Sequence, residues 1–214
     1  HRNEIRGANL VASPGCNATA VILALLPVVK SGLIDLNRII ADVKAGSSEG
    51  GSKPSAGSHH PEREGAIRPY EAEGHRHVAE VEQELKYITN NEVRVSLIPH
   101  AVSSVRGVLA SVHSWLTKDV SDIDIMRAYV QTYSKEPFIR FVKTIPPGYP
   151  DPKYVIGSNY VDVSYAVERR IHRLTAFAAL DNLMKGAAGQ AVQAFNIMVG
   201  YEEDLGLKYP PLKP

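Results

Sequence analysis

"ASPGCNATAVILALLP", residues 12–27, decides the fold, because it sets a Pro-Gly turn between an extended segment and an almost wholly apolar helix. From Asn17 to Ser31 apolar residues fall on every side (Val21, Ile22, Leu23, Leu25, Leu26, Val28, Val29), so the pattern predicts a buried helix rather than an amphipathic one. Pro27 is expected to kink that helix or to end its first part. Ahead of the turn, "ANLVA" (8–12) reads as a short strand. The chain's one cysteine, Cys16, stands at the helix mouth, where unpaired backbone N–H groups and the helix dipole favour a reactive thiolate. The same position suits a small buried side chain, and the residues leave both roles open.

Working outward, "LNRIIADVKAG" (36–46) predicts a strand, and "GSSEGGSKPSAGS" (46–58) has the composition of a flexible linker. Further strands are expected at 93–99, 106–116, 138–142, 159–168 and 173–180. "DIDIMRAYVQTY" (122–133) has helical spacing with acidic residues in its first turn. A last helix is expected over 185–199, with Ala188, Ala191, Val192, Phe195, Met198 and Val199 as its buried stripe. The sum is an α+β fold: a mixed, largely antiparallel sheet with helices on one face.

The 214 residues are 44% hydrophobic and 22% charged, as in an average globular protein, and 24 basic against 23 acidic residues leave a net charge of +1. That balance excludes the basic footprint of a nucleic-acid binder and points to a small or neutral partner. No apolar run approaches the roughly 20 residues of a membrane span, and "HRNEIRGANL" (1–10) lacks a signal-peptide start. A cytoplasmic protein with no membrane partner is expected. The immediate entry into an apolar run without an initiating methionine predicts a fragment of a longer chain.

Four stretches carry candidate chemistry. Cys16 is the first. In "EGHRHVAEVEQEL" (73–85), His75 and His77 precede a helical pattern and could shuttle protons, the minimum that a cysteine nucleophile needs. A solvated loop explains them as well, and their spacing fits no zinc motif, so no metal is expected. The Gly-rich "GSSEGGS" lets backbone approach a phosphate or nicotinamide, yet it follows no G-x-G-x-x-G. Arg106 is either an anion clamp or a surface arginine. In "DNLMKGAAGQAVQAFN" (181–196) the small residues permit close approach of a cofactor or of another backbone.

Taken together, "PGCNATA" (14–20), "SHHPEREGAIRPYEAEGHRH" (58–77), "RGVLA" (106–110), "GSN" (157–159) and "DNLMKGAAGQAVQAFN" resemble the N-acetyl-gamma-glutamyl-phosphate reductases and their lysine-pathway relatives, over essentially the whole chain. The resemblance implies a glyceraldehyde-3-phosphate-dehydrogenase-like C-terminal part. Residues 1–180 would be a catalytic and dimerisation domain, and 181–214 a helix and tail packing against an N-terminal Rossmann domain that is missing here. It implies Cys16 as nucleophile and His75 as acid/base, with His77 as its alternate. Gly46, Ser47, Ser48 and Asn182 would meet NADP, and Arg106, Tyr70 and Asn17 the substrate. Without the Rossmann half the chain is expected to bind NADP poorly.

Two departures refine the resemblance. Asn17 and Ala18 stand where the arginine-pathway reductases have Tyr-Pro, and "AGSSEGG" (45–51) replaces S-G-x-S-G-A-G. With "SHHPEREG" these are similar to the lysine or dual lysine/arginine branch, whose aminoadipyl or glutamyl phosphate is carried on a LysW-type amino-group carrier protein. A homo-oligomer, dimer or tetramer, is implied. An acidic carrier could dock on Lys44, Lys53, Arg63, Arg68 and Arg76 if the fold gathers them. Two other classes fit the same residues: a cysteine hydrolase or acyltransferase without nicotinamide, and a dimerisation and carrier-binding module without activity.

Overall fold

The structure, a computed structural model, describes residues 1–212; the end of the expected 181–214 segment lies outside them. A single turn, α1 (Arg2–Ile5), precedes the long α2 (Cys16–Lys30) and strand β1 (Ile39–Ala45). A short turn α3 (His60–Arg63) and strand β2 (Arg68–Pro69) lead to α4 (His77–Thr89), then β3 (Val95–Ala101) and β4 (Val108–Trp115). After α5 (Asp122–Tyr133) come β5 (Ile139–Phe141), β6 (Val161–Glu168), β7 (Arg173–Leu180) and α6 (Gly189–Val199).

The strands form one sheet in the order β2-β3-β1-β4-β7-β6-β5. Pairs β1/β3 and β5/β6 are parallel; β2/β3, β1/β4, β4/β7 and β6/β7 are antiparallel. This is the expected mixed, largely antiparallel sheet. Strands β1, β3 and β4 alternate as one covered face requires: in β4, Val108, Ala110 and Val112 are fully buried while Leu109, Ser111 and His113 are half-buried. The covering layer is α2, flanked by α4 and α5. Ala18, Val21, Ala24, Leu25 and Val28 of α2 are fully buried and join one core with Val43, Val163, Leu174 and Ala178 of the sheet. Ser121 accepts the Asp124 N–H and caps α5 where its acidic first turn is expected.

Three expectations are corrected. Residues 8–12 form no strand; Leu10 is 88% exposed and no sheet edge meets it. The terminal segment begins with a wide turn over Met184–Ala188, and α6 buries Gly189, Asn196 and Ile197 instead of its apolar stripe, leaving Val192, Phe195 and Val199 exposed. Helix α2 does not end at Pro27 but continues to Lys30. Proline removes the N–H that the Leu23 carbonyl would accept, and the Tyr133 hydroxyl donates to that carbonyl in its place. Tyr129, one turn earlier on α5, donates to the Ala24 carbonyl at 2.8 Å.

That substitution of a side-chain donor for a backbone one is measurable. Tyr133→Phe should cost about 1–3 kcal/mol in urea unfolding, the penalty for an unmet buried carbonyl. In a Pro27→Ala background it should cost much less, because the restored backbone N–H serves Leu23. An equal cost in both backgrounds would contradict the exchange.

Candidate active site

The Pro14–Gly15–Cys16 turn is held from three sides. Gly15 is the extended residue before α2 (φ −68°, ψ 161°). Its N–H donates to Glu80 Oε2 of α4 at 2.7 Å, and Gln190 of α6 donates to the Pro14 carbonyl at 2.6 Å. A Cβ on Gly15 would fall 2.0 Å from His77 Nε2, and one on Gly186 would fall 2.6 Å from Cys16 Cβ. Only glycine at both positions lets the imidazole and the 184–188 turn close on the thiol.

Cys16, Asn17, Tyr70, His75 and His77 line one cavity of about 320 Å³. The thiol does not show the expected lowering. Burial first and the Glu49 carboxylate second push it up to about 11, against the smaller opposite pull of the Asn17 and Cys16 N–H groups and of Arg76. Sγ lies 3.6 Å from Asn17 Oδ1. At neutral pH Cys16 is therefore a thiol.

The two histidines are buried with ring centroids 4.5 Å apart. His75 Nδ1 accepts the His77 backbone N–H at 3.1 Å, which puts the His75 proton on Nε2, 3.5 Å from Glu71 Oε2. His77 Nδ1 is buried without a hydrogen-bond partner among the described residues. Burial lowers the pKa of both; in His77 burial and then the neighbouring His75 bring it to about 4. Both rings are neutral at pH 7, so a thiol stands in one cavity with two uncharged bases.

Glu49 is the main residue that sequence reasoning missed. Arg63, 1% exposed, donates from Nη2 to Glu49 Oε1 at 3.2 Å and to the Ala45 carbonyl at 3.1 Å, and the Tyr70 hydroxyl donates to Glu49. The linker-like stretch is thus an ordered wall whose turn, Ser47–Gly50, points a carboxylate into the cavity. Its Gly-rich composition concealed this, and Arg63 and Glu80 gave no signal because their partners are distant in sequence.

The remaining expected residues gather beside that wall. Gly46 N–H donates to the Gly107 carbonyl at 3.0 Å, Ser47 N–H to Ser104 at 2.8 Å and Ser48 N–H to Val105 at 3.0 Å. Asn182 Nδ2 donates to Ser48 Oγ, and Asn182 Oδ1 accepts the Gly107 N–H, both at 2.8 Å. Arg106 pairs with the fully buried Asp181 at 2.7 Å. The five basic residues do not form one patch: Lys44 pairs with Asp42 on the open sheet face, Lys53 is exposed away from the cavity lining, Arg63 is buried, and Arg68 and Arg76 line the cavity. Among the described residues no group of three or more His, Cys, Asp or Glu is placed to hold a metal, and no helix is long and apolar enough to cross a membrane.

The Cys16 environment predicts a titration. Alkylation by iodoacetamide should keep rising from pH 7 to above pH 10, with no plateau near the ordinary thiol value of about 8.5. Glu49→Gln should move the rise to lower pH, since the carboxylate raises the thiol pKa. An unchanged or higher midpoint in that variant would contradict the electrostatic account.

Residues 16–182 match the family model described as semialdehyde dehydrogenase, dimerisation domain. The chain is 61% identical to the LysW-aminoadipate/LysW-glutamate phosphate reductase of Sulfolobus acidocaldarius and 60% identical to that of Saccharolobus solfataricus, over 100% of its own length and 61% of theirs. It thus spans about three fifths of the relatives it matches. Among solved structures, aspartate semialdehyde dehydrogenase II of Vibrio cholerae superposes with a TM-score of 0.71 at 16% identity, covering 93% of this chain and 65% of that one. With that match over most of its length, the chain belongs to the semialdehyde dehydrogenase family, whose dimerisation domain it contains.

Proposed function

We propose that this chain is the catalytic part of an NADPH-dependent acyl-phosphate reductase. Its substrate would be an aminoadipyl or glutamyl phosphate borne on a LysW-type carrier, as the names of its relatives suggest. The observation that carries the proposal is the placement of Cys16 at a clamped helix N-terminus, in one cavity with two neutral imidazoles. A thiol raised to about 11 needs a base at the moment of attack. The histidine pair is that base; with the rings in contact we assign the proton to the pair rather than to one member. The deprotonated sulfur attacks the acyl carbonyl, the C–S bond forms, the C–O bond to phosphorus breaks and phosphate leaves. The first N–H groups of α2 have no helical carbonyl of their own and stabilise the developing oxyanion, at about 3 kcal/mol per donor in comparable sites.

The residues beside the cavity fit a nicotinamide. Gly186 lies against Cys16, and the next two residues, Ala187 and Ala188, are small and exposed, so a flat ring can reach the thioester. Gly46, Ser47, Ser48 and Asn182 would meet the cofactor, with Ser48 and Asn182 already positioned by their mutual hydrogen bond. When bound, NADPH supplies the hydride that takes the thioester to the semialdehyde. The histidine pair then returns the proton to sulfur as the C–S bond breaks.

Two surfaces support the remaining parts of the proposal. The exposed Val192, Phe195 and Val199 of α6 suit contact with a cofactor domain in the longer protein. The helix-free sheet face, with Leu109, Trp115 and Phe177 only half-buried and Ile40 42% exposed, suits a second copy of this chain.

In a protein carrying this chain together with its cofactor domain, Cys16→Ala should cut acyl-phosphate-dependent NADPH oxidation by about a thousandfold or more with little change in Tm. Appreciable residual reductase activity would overturn the proposal. Release of acid from a thioester substrate without NADPH would favour a cysteine hydrolase.

A further inference from the structure

The charged side chains around the Cys16 cavity are unevenly paired. Glu49 is taken by Arg63 and Tyr70, and Glu71 faces His75. Two cavity-lining guanidiniums, Arg68 and Arg76, have no carboxylate partner among the described residues. Arg68 is tied to the Gly57 carbonyl at 3.4 Å. Arg76 has neither a hydrogen bond nor an ion pair among the described residues.

Arg76 is exposed, yet it lines the same cavity as Cys16. Arg76 is the residue before α4, set between His75 and His77, and its charge acts on Cys16 and on both imidazoles. The adjacent His77 Nδ1 is buried without a partner. A planar guanidinium without a partner, lining the cavity that holds the thiol while Glu49 is already taken by Arg63 and Tyr70, is placed to receive an anion. Its forked donors suit phosphate oxygens. In an acyl phosphate the phosphoryl group is one oxygen away from the carbon that sulfur attacks, whereas the substrate's carboxylate is several carbons away.

We propose that Arg76 is the phosphoryl-binding residue of this cavity: it receives the phosphoryl group as the carbonyl meets Cys16 and holds inorganic phosphate as it departs. The inference rests on the proposed function and adds the site of the leaving group. Arg76 also contributes positive potential that favours the thiolate once the thiol is deprotonated.

Inorganic phosphate is the probe, titrated calorimetrically into the 214-residue chain. The wild type should bind it saturably at tens of millimolar or below. Arg76→Gln should weaken binding by about tenfold or more, and Arg76→Lys by less, because a point charge replaces a fork. Phosphate should slow Cys16 alkylation in the wild type and not in Arg76→Gln. Circular dichroism of both variants confirms that the fold is retained, and the lysine variant remains informative if the glutamine one is unstable. Equal phosphate affinity in wild type and Arg76→Gln, or no saturable binding by the wild type, would overturn the inference. Neither readout needs NADPH or turnover, so failure here is separable from failure of Cys16→Ala to abolish reduction.

Discussion

The structure depends on the closeness with which Gly15 is approached. A helix that buries nearly all its sides has to begin somewhere polar, and α2 begins where the N–H of Gly15 meets the Glu80 carboxylate and the His77 ring lies against its Cα. That contact fixes α4 to α2 and brings the imidazoles to the thiol. Gly186 performs the same service from the opposite side. Two missing side chains thus set the distance between three elements that are far apart in sequence, and any Cβ at either point would move a group of the candidate site.

The site keeps its charges quiet. Cys16 is protonated and both histidines are neutral, each because burial penalises its charged form. The Glu49 carboxylate, fixed by the buried Arg63, opposes early ionisation of the thiol. On the proposed reading, a nucleophile held as thiol is protected from oxidation and alkylation until an acyl group arrives beside the base. Reactivity in this account comes from assembly of the substrate complex rather than from a resting thiolate.

Much of the fold was legible in the sequence. The apolar run of α2, the alternation in β3 and the acidic start of α5 each carry a local period or cap. Residues 8–12 were apolar enough for a strand but had no edge to pair with. The course of α2 through Pro27 was illegible because the rescuing hydroxyls come from α5, more than a hundred residues later. Cys16, His75 and His77, singled out from type and position, are brought together in one cavity. Glu49, Arg63 and Glu80 were not singled out, because an ion pair or a carboxylate–amide bond between distant segments leaves no local pattern. The direction of the thiol shift was missed for a related reason: a helix N-terminus can be read from sequence, whereas burial and a facing carboxylate cannot.

The central claim is that Cys16 carries the acyl group. It is tested most directly by mass spectrometry of a protein carrying this chain together with a cofactor domain, incubated with an aliphatic acyl phosphate in the absence of NADPH. The account predicts one hydroxylamine-labile acyl adduct, on the peptide containing Cys16, discharged when NADPH is added. A reductase that turns over while the Cys16 peptide stays unmodified, or that carries the adduct on another residue, would contradict it.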